Sequence, residues 1–129
     1  MQATKNMNNQ ELFFSDVTLW EEDGVISFSF EENTIIDAEL VYQLCDEFSS
    51  FEKSQTKKSV LLNLDGVTGV TLEGLCLLNQ KLDGVSNRKA VLVNNENTDI
   101  IGRVFVNSIK HNQPTKVFKS ALEANAWMN

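Results

Sequence analysis

The chain has 129 residues, two cysteines, one histidine and one proline, and its 18 acidic against 11 basic side chains give a formal charge of −7. A composition 42% hydrophobic and 22% charged describes one globular domain that closes a core without disulfide or metal staples. The acidic balance excludes nucleic acid as a partner, and no apolar run approaches the ~20 residues of a membrane span.

The polar, Asn- and Gln-rich start shows no basic-then-apolar export signal. Residues 1–11 read as a flexible tail and 12–129 as the domain. Val17 to Trp20 and Val25 to Phe30 are strand-like and flank Asp23-Gly24, a strong hairpin signal. The period then becomes helical. Asp37 is placed to cap a helix, with Ile36 and Val41 as its staple and Leu40, Val41, Leu44, Cys45, Phe48 and Phe51 as its buried stripe. Val60 to Leu64 reads as a strand covered on both faces.

A second helix starts near Thr71, runs through Leu75, Leu78 and Leu82, and closes on a left-handed Gly84. Lys89 to Val93 is another buried strand. Asn97 or Thr98 caps a third helix carrying Ile100, Ile101, Val104, Phe105 and Ile109. Val117-Phe118 forms a short edge strand, and Ser120 opens a final helix with Leu122 and Trp127. The order is β-β-α-β-α-β-α-β-α: an α/β fold with a mostly parallel sheet, one antiparallel hairpin strand and about four helices. Function in such sheets collects at the carboxyl ends of the strands, here the loops 31–36, 65–71 and 94–97.

Little catalytic chemistry is spelled out. Cys45 and Cys76 lie among leucines and read as reduced core residues of a cytoplasmic protein. One histidine, His111 in a Lys-His-Asn segment, reads as a surface side chain, and no set of four zinc ligands can be assembled. Gly66, Gly69 and Gly74 match neither phosphate-cradling motif, and their loop carries Asp65 and Glu73 but no lysine. Glu31, Glu32 and Asp65 superficially fit a phospho-receiver, but the opening hairpin does not. No nucleophile elbow is present. No enzyme activity, metal or cofactor is expected.

The stretch Leu64-Asp-Gly-Val-Thr-Gly-Val-Thr-Leu-Glu-Gly-Leu75, in this element order, resembles the sulphate transporter and anti-sigma factor antagonist (STAS) domain family. Leu64-Asp65-Gly66 matches that family's strand end, and Gly74-Leu75 the end of its Asp-Ser-Ser/Thr-Gly-Leu helix start. Asp37, with Leu40 and Leu44, resembles its first helix. The resemblance spans roughly Val17 to Trp127. The family's Asp-Ser-Ser is Thr71-Leu72-Glu73 here, so Leu72 stands where the resemblance places the phosphorylated serine.

The resemblance implies a non-enzymatic, regulatory protein-binding domain of bacterial signal transduction and transcription regulation. It would bind through Asp65, Thr68, Thr71, Leu72, Glu73 and Gly74, with Gly74 admitting a close backbone approach. The implied partner is an anti-sigma factor or serine kinase of histidine-kinase-like fold, or a serine phosphatase regulator. Thr71, the helix cap, is a candidate phospho-acceptor, as is Thr68; a phosphate at that helix start would meet free N–H groups and add about −1.5 to −2 charges. Glu73 reads as a first-turn acid complementing the helix dipole. An accessory subunit of a membrane transport complex is the alternative. A small enzyme or ligand-binding domain would need a closed pocket of at least ~300 Å³ at the strand ends.

Overall fold

A computed structural model describes residues 4–6, 11–13, 16–52 and 57–129. The hairpin forms as the sequence predicts, from β3 (Val17–Glu22) and β4 (Val25–Phe30), whose residues pair antiparallel from Val17–Phe30 to Glu22–Val25. Asp23 and Gly24 both have positive φ (53° and 80°), the geometry that matches the strands' twist. Two short strands precede the hairpin, β1 (Thr4–Asn6) and β2 (Glu11–Phe13), extending the sheet antiparallel. The sequence shows no alternation there, so these strands are additions to the expected order. The proposed tail otherwise falls on residues 1–3 and 7–10, outside the described ones.

Beyond β4 the sheet is parallel, through β6 (Lys58–Asn63), β8 (Ser86–Leu92) and β9 (Thr115–Phe118). The order is β1-β2-β3-β4-β6-β8-β9, and β9 is the expected edge. A separate parallel pair, β5 (Thr34–Ile36) and β7 (Val67–Val70), forms within two of the predicted loops.

Five helices complete the described chain. The predicted first helix breaks at Leu44 into α1 (Ala38–Gln43) and α2 (Cys45–Glu52). Asp37 caps α1, its side chain accepting from the Leu40 N–H at 2.9 Å. Next come α3 (Leu72–Val85), α4 (Glu96–Ser108) and α5 (Ala121–Met128). Thr71 and Ser120 cap α3 and α5 as expected. The cap of α4 is Asn95, which forms a capping box with Thr98, rather than Asn97 or Thr98. Gly84 is not left-handed; α3 runs on to Val85 and ends where Ser86 turns extended and donates its hydroxyl to Leu82 O at 2.6 Å.

The helices divide between two faces. Ile26, Phe28, Val60, Leu62, Val91 and Val93 form one core with Leu40, Val41, Leu44 and Phe48, with Leu75, Leu78 and Leu82, and with Ile101 and Phe105. Burying each such side chain contributes about 1.5–3 kcal/mol. The other face is closed by α5, whose Ala124 and Met128 pack with Ala90 and Phe118. The last turn of α5 is fastened there: Ser59 Oγ donates to Met128 O at 3.2 Å and Arg88 donates to Trp127 O. Asn129 and Asn125 share a depression of about 310 Å³ with Trp20 and Asp23.

Two expectations are corrected. Cys76 is exposed and Cys45 half-buried, so neither is a sealed core residue. His111 is not a free surface side chain. Its Nε2 donates to Phe105 O at 2.7 Å, and its Nδ1 lies 2.8 Å from the Lys89 ammonium and 2.7 Å from Asn79 Oδ1. Lys89 is wholly buried, forms an ion pair with Asp83 and also donates to Asn79. The same cluster pins the α4–β9 connection: Asn79 donates to Lys110 O at 2.9 Å, and Asp83 accepts from the Asn112 N–H at 3.0 Å.

Burial holds the His111 pKa below its ordinary 6.5; the Phe105 carbonyl opposes this, Lys89 reinforces it and Asp83 opposes it. The unfolded chain therefore takes up the proton first. Stability from this group is full above about pH 6.5 and is lost as pH falls through the depressed folded value. The urea midpoint is expected to drop between about pH 7 and pH 5, with a smaller drop in His111→Gln; parallel pH profiles of the two proteins would show the account to be wrong.

Candidate functional site

The parallel strands β4, β6 and β8 end on one edge, and three loops are knitted together there. Gly66, in the turn after β6, has φ +91°, and its α-carbon lies so near the backbone that an added Cβ would sit 2.6 Å from Phe30 O and 2.7 Å from Glu31 O. Gly66 O in turn accepts from the Thr34 N–H at 3.1 Å. Asn94 Nδ2 donates to Asp65 Oδ1 at 2.9 Å, and Asn97 Nδ2 to Thr68 O at 3.5 Å. The loops after β4, β6 and β8 are thereby held as one surface.

The α3 N-terminus closes against this unit. The Thr71 N–H donates to Ile36 O at 2.9 Å, and Thr71 Oγ1 accepts from the Gly74 N–H at 3.0 Å. Gly74 corrects the sequence expectation. It is buried, and a Cβ there would lie 2.6 Å from Asp37 Cα and 2.7 Å from Ile36 O. The close backbone approach it permits is between α3 and the start of α1 in the same chain, and it offers no side-chain surface to a partner.

The remaining predicted residues are brought to one edge. Asp65, Thr68, Thr71, Leu72 and Glu73 are all exposed, with Asp65 tied to Asn94 and Thr71 engaged as the cap. Leu72 leaves 64% of its surface in water at the first position of α3.

Ile35 is the residue that sequence reasoning passed over. It is 54% exposed, pairs with Gly69 across β5–β7, and its Cγ1 would lie 3.7 Å from a Cβ at Gly69. The signal was the adjacent Ile35-Ile36 pair: on a strand only one of two neighbours faces inward, and Ile36 is the buried one. Ile35, Gly69 and Leu72 give this edge an apolar centre.

No group of three or more His, Cys, Asp or Glu able to hold a metal occurs among the described residues. A depression of about 370 Å³ nearby is lined by Val93, Asn94, Asn95, Glu96, Asp99 and Lys119, which supply no nucleophile–base pair. Among the described residues, no helix is long and apolar enough to cross a membrane.

Comparison with known proteins agrees with this architecture. The sequence profile of the family described as Domain of unknown function (DUF7793) matches residues 19–129. No curated protein matches the sequence. Among solved structures, an uncharacterized DUF3478-family protein with a SpoIIAA-like fold from Shewanella loihica PV-4 is 15% identical, with a TM-score of 0.63 over 88% of this chain and 92% of its own. The anti-sigma factor antagonist SpoIIAA in its unphosphorylated form is 12% identical, with a TM-score of 0.55 over 85% of this chain and 94% of its own. The fold is thus STAS-like, as the sequence resemblance implies.

Proposed function

The chain belongs to the DUF7793 family, and from that premise we propose that it is a non-enzymatic regulatory domain that docks onto a protein partner through the strand-end edge. The observation that carries this reading is the exposure of Leu72, at the start of α3, and Ile35, in β5, on an edge held together by the close approaches at Gly66 and Gly74 and the Asn94–Asp65 bond. A preorganised surface spends little ordering entropy on binding, and its apolar centre stays in water until a partner covers it.

SpoIIAA, whose fold the chain shares, is an anti-sigma factor antagonist. By that likeness the partner is an anti-sigma factor or serine kinase of histidine-kinase-like fold, or a regulator that pairs such a kinase with a serine phosphatase. Binding would sequester the partner and release what it holds. Leu72 has no hydroxyl, so control by phosphate would need another acceptor on the same edge. Thr71 is our candidate, exposed and at the α3 N-terminus, where backbone N–H groups favour an anion.

The test is affinity capture from lysate of the source organism, followed by mass spectrometry, with wild type, Leu72→Asp and Leu122→Asp in parallel. Leu122 is 80% exposed at the start of α5, on the opposite face of the sheet from α3, and controls for general stickiness. Wild type and Leu122→Asp are expected to retain a kinase-fold regulator, and Leu72→Asp to lose about 30-fold in affinity, as for an interface hot spot. Equal retention by all three proteins would remove the edge from consideration.

A further inference from the structure

The net charge of this protein has an address. Residues 31–37, 65–74 and 94–99 contain Glu31, Glu32, Asp37, Asp65, Glu73, Glu96 and Asp99, and no lysine or arginine; Lys119, just after β9, lines the same depression as Glu96 and Asp99. Those seven carboxylates equal the whole formal charge of −7, and the other eleven acidic residues balance the eleven basic ones. Asp37 is used as the α1 cap and Asp99 is paired with Arg103 at 3.1 Å. The remaining five are exposed, on the edge where Ile35 and Leu72 stand open.

A second feature lies beside Ile35. A depression of about 330 Å³ is lined by Asp16, Asp37 and Glu39 together with Ile35, Leu40 and Gln43. The depression is mainly polar, and its three carboxylates suit the charged head of one long basic side chain.

We infer that the partner of this edge presents a basic protein surface: an apolar element that covers Ile35 and Leu72, ringed by Arg or Lys, with one basic side chain seated between Asp16, Asp37 and Glu39. This rests on the docking reading above and adds the partner's chemistry to it. Nucleic acid and anionic lipid are repelled by the same field. A field concentrated on one edge also steers the encounter, so association depends strongly on salt.

The test titrates the isotope-labelled full chain with a 15-residue amphipathic helical peptide carrying one leucine face and flanking lysines and arginines, and with its counterpart bearing glutamates instead. At about 50 mM salt the basic peptide is expected to bind at least about tenfold tighter than the acidic one and to shift the amides of residues 31–37 and 69–74. Raising salt to about 300 mM should weaken it about tenfold. In Asp16→Asn/Glu39→Gln, which empties the depression of two carboxylates but leaves the five exposed ones of the edge, the basic peptide should bind about threefold more weakly at about 50 mM salt, with the circular dichroism spectrum unchanged; in Glu31→Gln/Glu32→Gln/Glu73→Gln the salt-induced weakening itself should shrink to below about threefold.

Equal binding of both peptides at this edge would overturn the basic-partner proposal while leaving the docking reading standing. Failure of the basic peptide to shift these amides overturns the proposal as well, and the Leu72→Asp capture then judges the docking reading by itself.

Discussion

Gly66→Ala is expected to destabilise the domain by about 3 kcal/mol, combining backbone strain with overpacking. Two penalties coincide at this residue. Its φ of +91° is one that L side chains rarely adopt, and the added methyl would meet two carbonyl oxygens, Phe30 O and Glu31 O, at 2.6 and 2.7 Å. Backbone oxygens cannot rotate aside as a side chain can, so the turn after β6 must move away from the end of β4. That movement would break the Thr34 N–H to Gly66 O bond and with it the start of the β5–β7 pair.

Gly69→Ala is the matched control, because its new methyl would find only Ile35 Cγ1, at an ordinary 3.7 Å. Thermal unfolding should show a fall of about 10 °C for Gly66→Ala and a small change for Gly69→Ala. Comparable shifts in the two variants would show that Gly66 does not lock the edge.

Lys89→Met should cost about 3–5 kcal/mol, since it leaves the Asp83 carboxylate buried without its cation. Asp83→Asn alone should also be severe, because the ammonium then keeps only Asn79 and His111. The double variant Lys89→Met/Asp83→Asn is expected to regain at least about half of the summed loss. It removes both charges together, and the introduced asparagine can still accept from the Asn112 N–H. Urea midpoints at constant slope measure all three. Strict additivity would mean that the two residues act independently. The cluster ties the α4–β9 connection to α3, so its loss should also loosen residues 109–114, seen as faster amide exchange there.

The large elements were legible because each has a period long enough to count. The Asp23-Gly24 hairpin, the Asp37, Thr71 and Ser120 caps and the buried strands β6 and β8, which end at Asn63 and Leu92, follow from alternation, staples and turn chemistry. The pair β5–β7 escaped because three or four residues cannot display a period, and its pairing is made by Gly66 and Ile36 carbonyls that no side-chain pattern reports. The break at Leu44 escaped for a related reason: the apolar stripe continues across it from Val41 to Phe48.

Lys89 opens the expected buried strand and shares a face with the buried Val91 and Val93, but its type alone does not announce the partners that let its ammonium be buried. Asn79 and Asp83 stand four apart on the inner side of α3 beside Leu75, Leu78 and Leu82, a spacing that could have announced a buried polar pair. Their third partner, His111, arrives from a connection that periodicity does not describe. Cys76 follows Leu75 by one position, about 100° around the helix, and so turns outward beyond the leucine stripe. At the edge, the resemblance located five exposed positions. Gly74 was misassigned because a missing side chain looks alike whether the neighbour it admits is another molecule or the chain itself.

The fastening of α5 decides how the protein can be held. Asn129 shares its depression with Trp20 and Asp23, at the hairpin turn where β4 begins, whereas the acidic edge lies where β4 ends. Six residues of strand separate the two ends by about 20 Å. A sensor surface, fluorophore or fused domain joined by a short linker after Asn129 would therefore sit behind the sheet, leaving the edge with Leu72 and Ile35 facing outward.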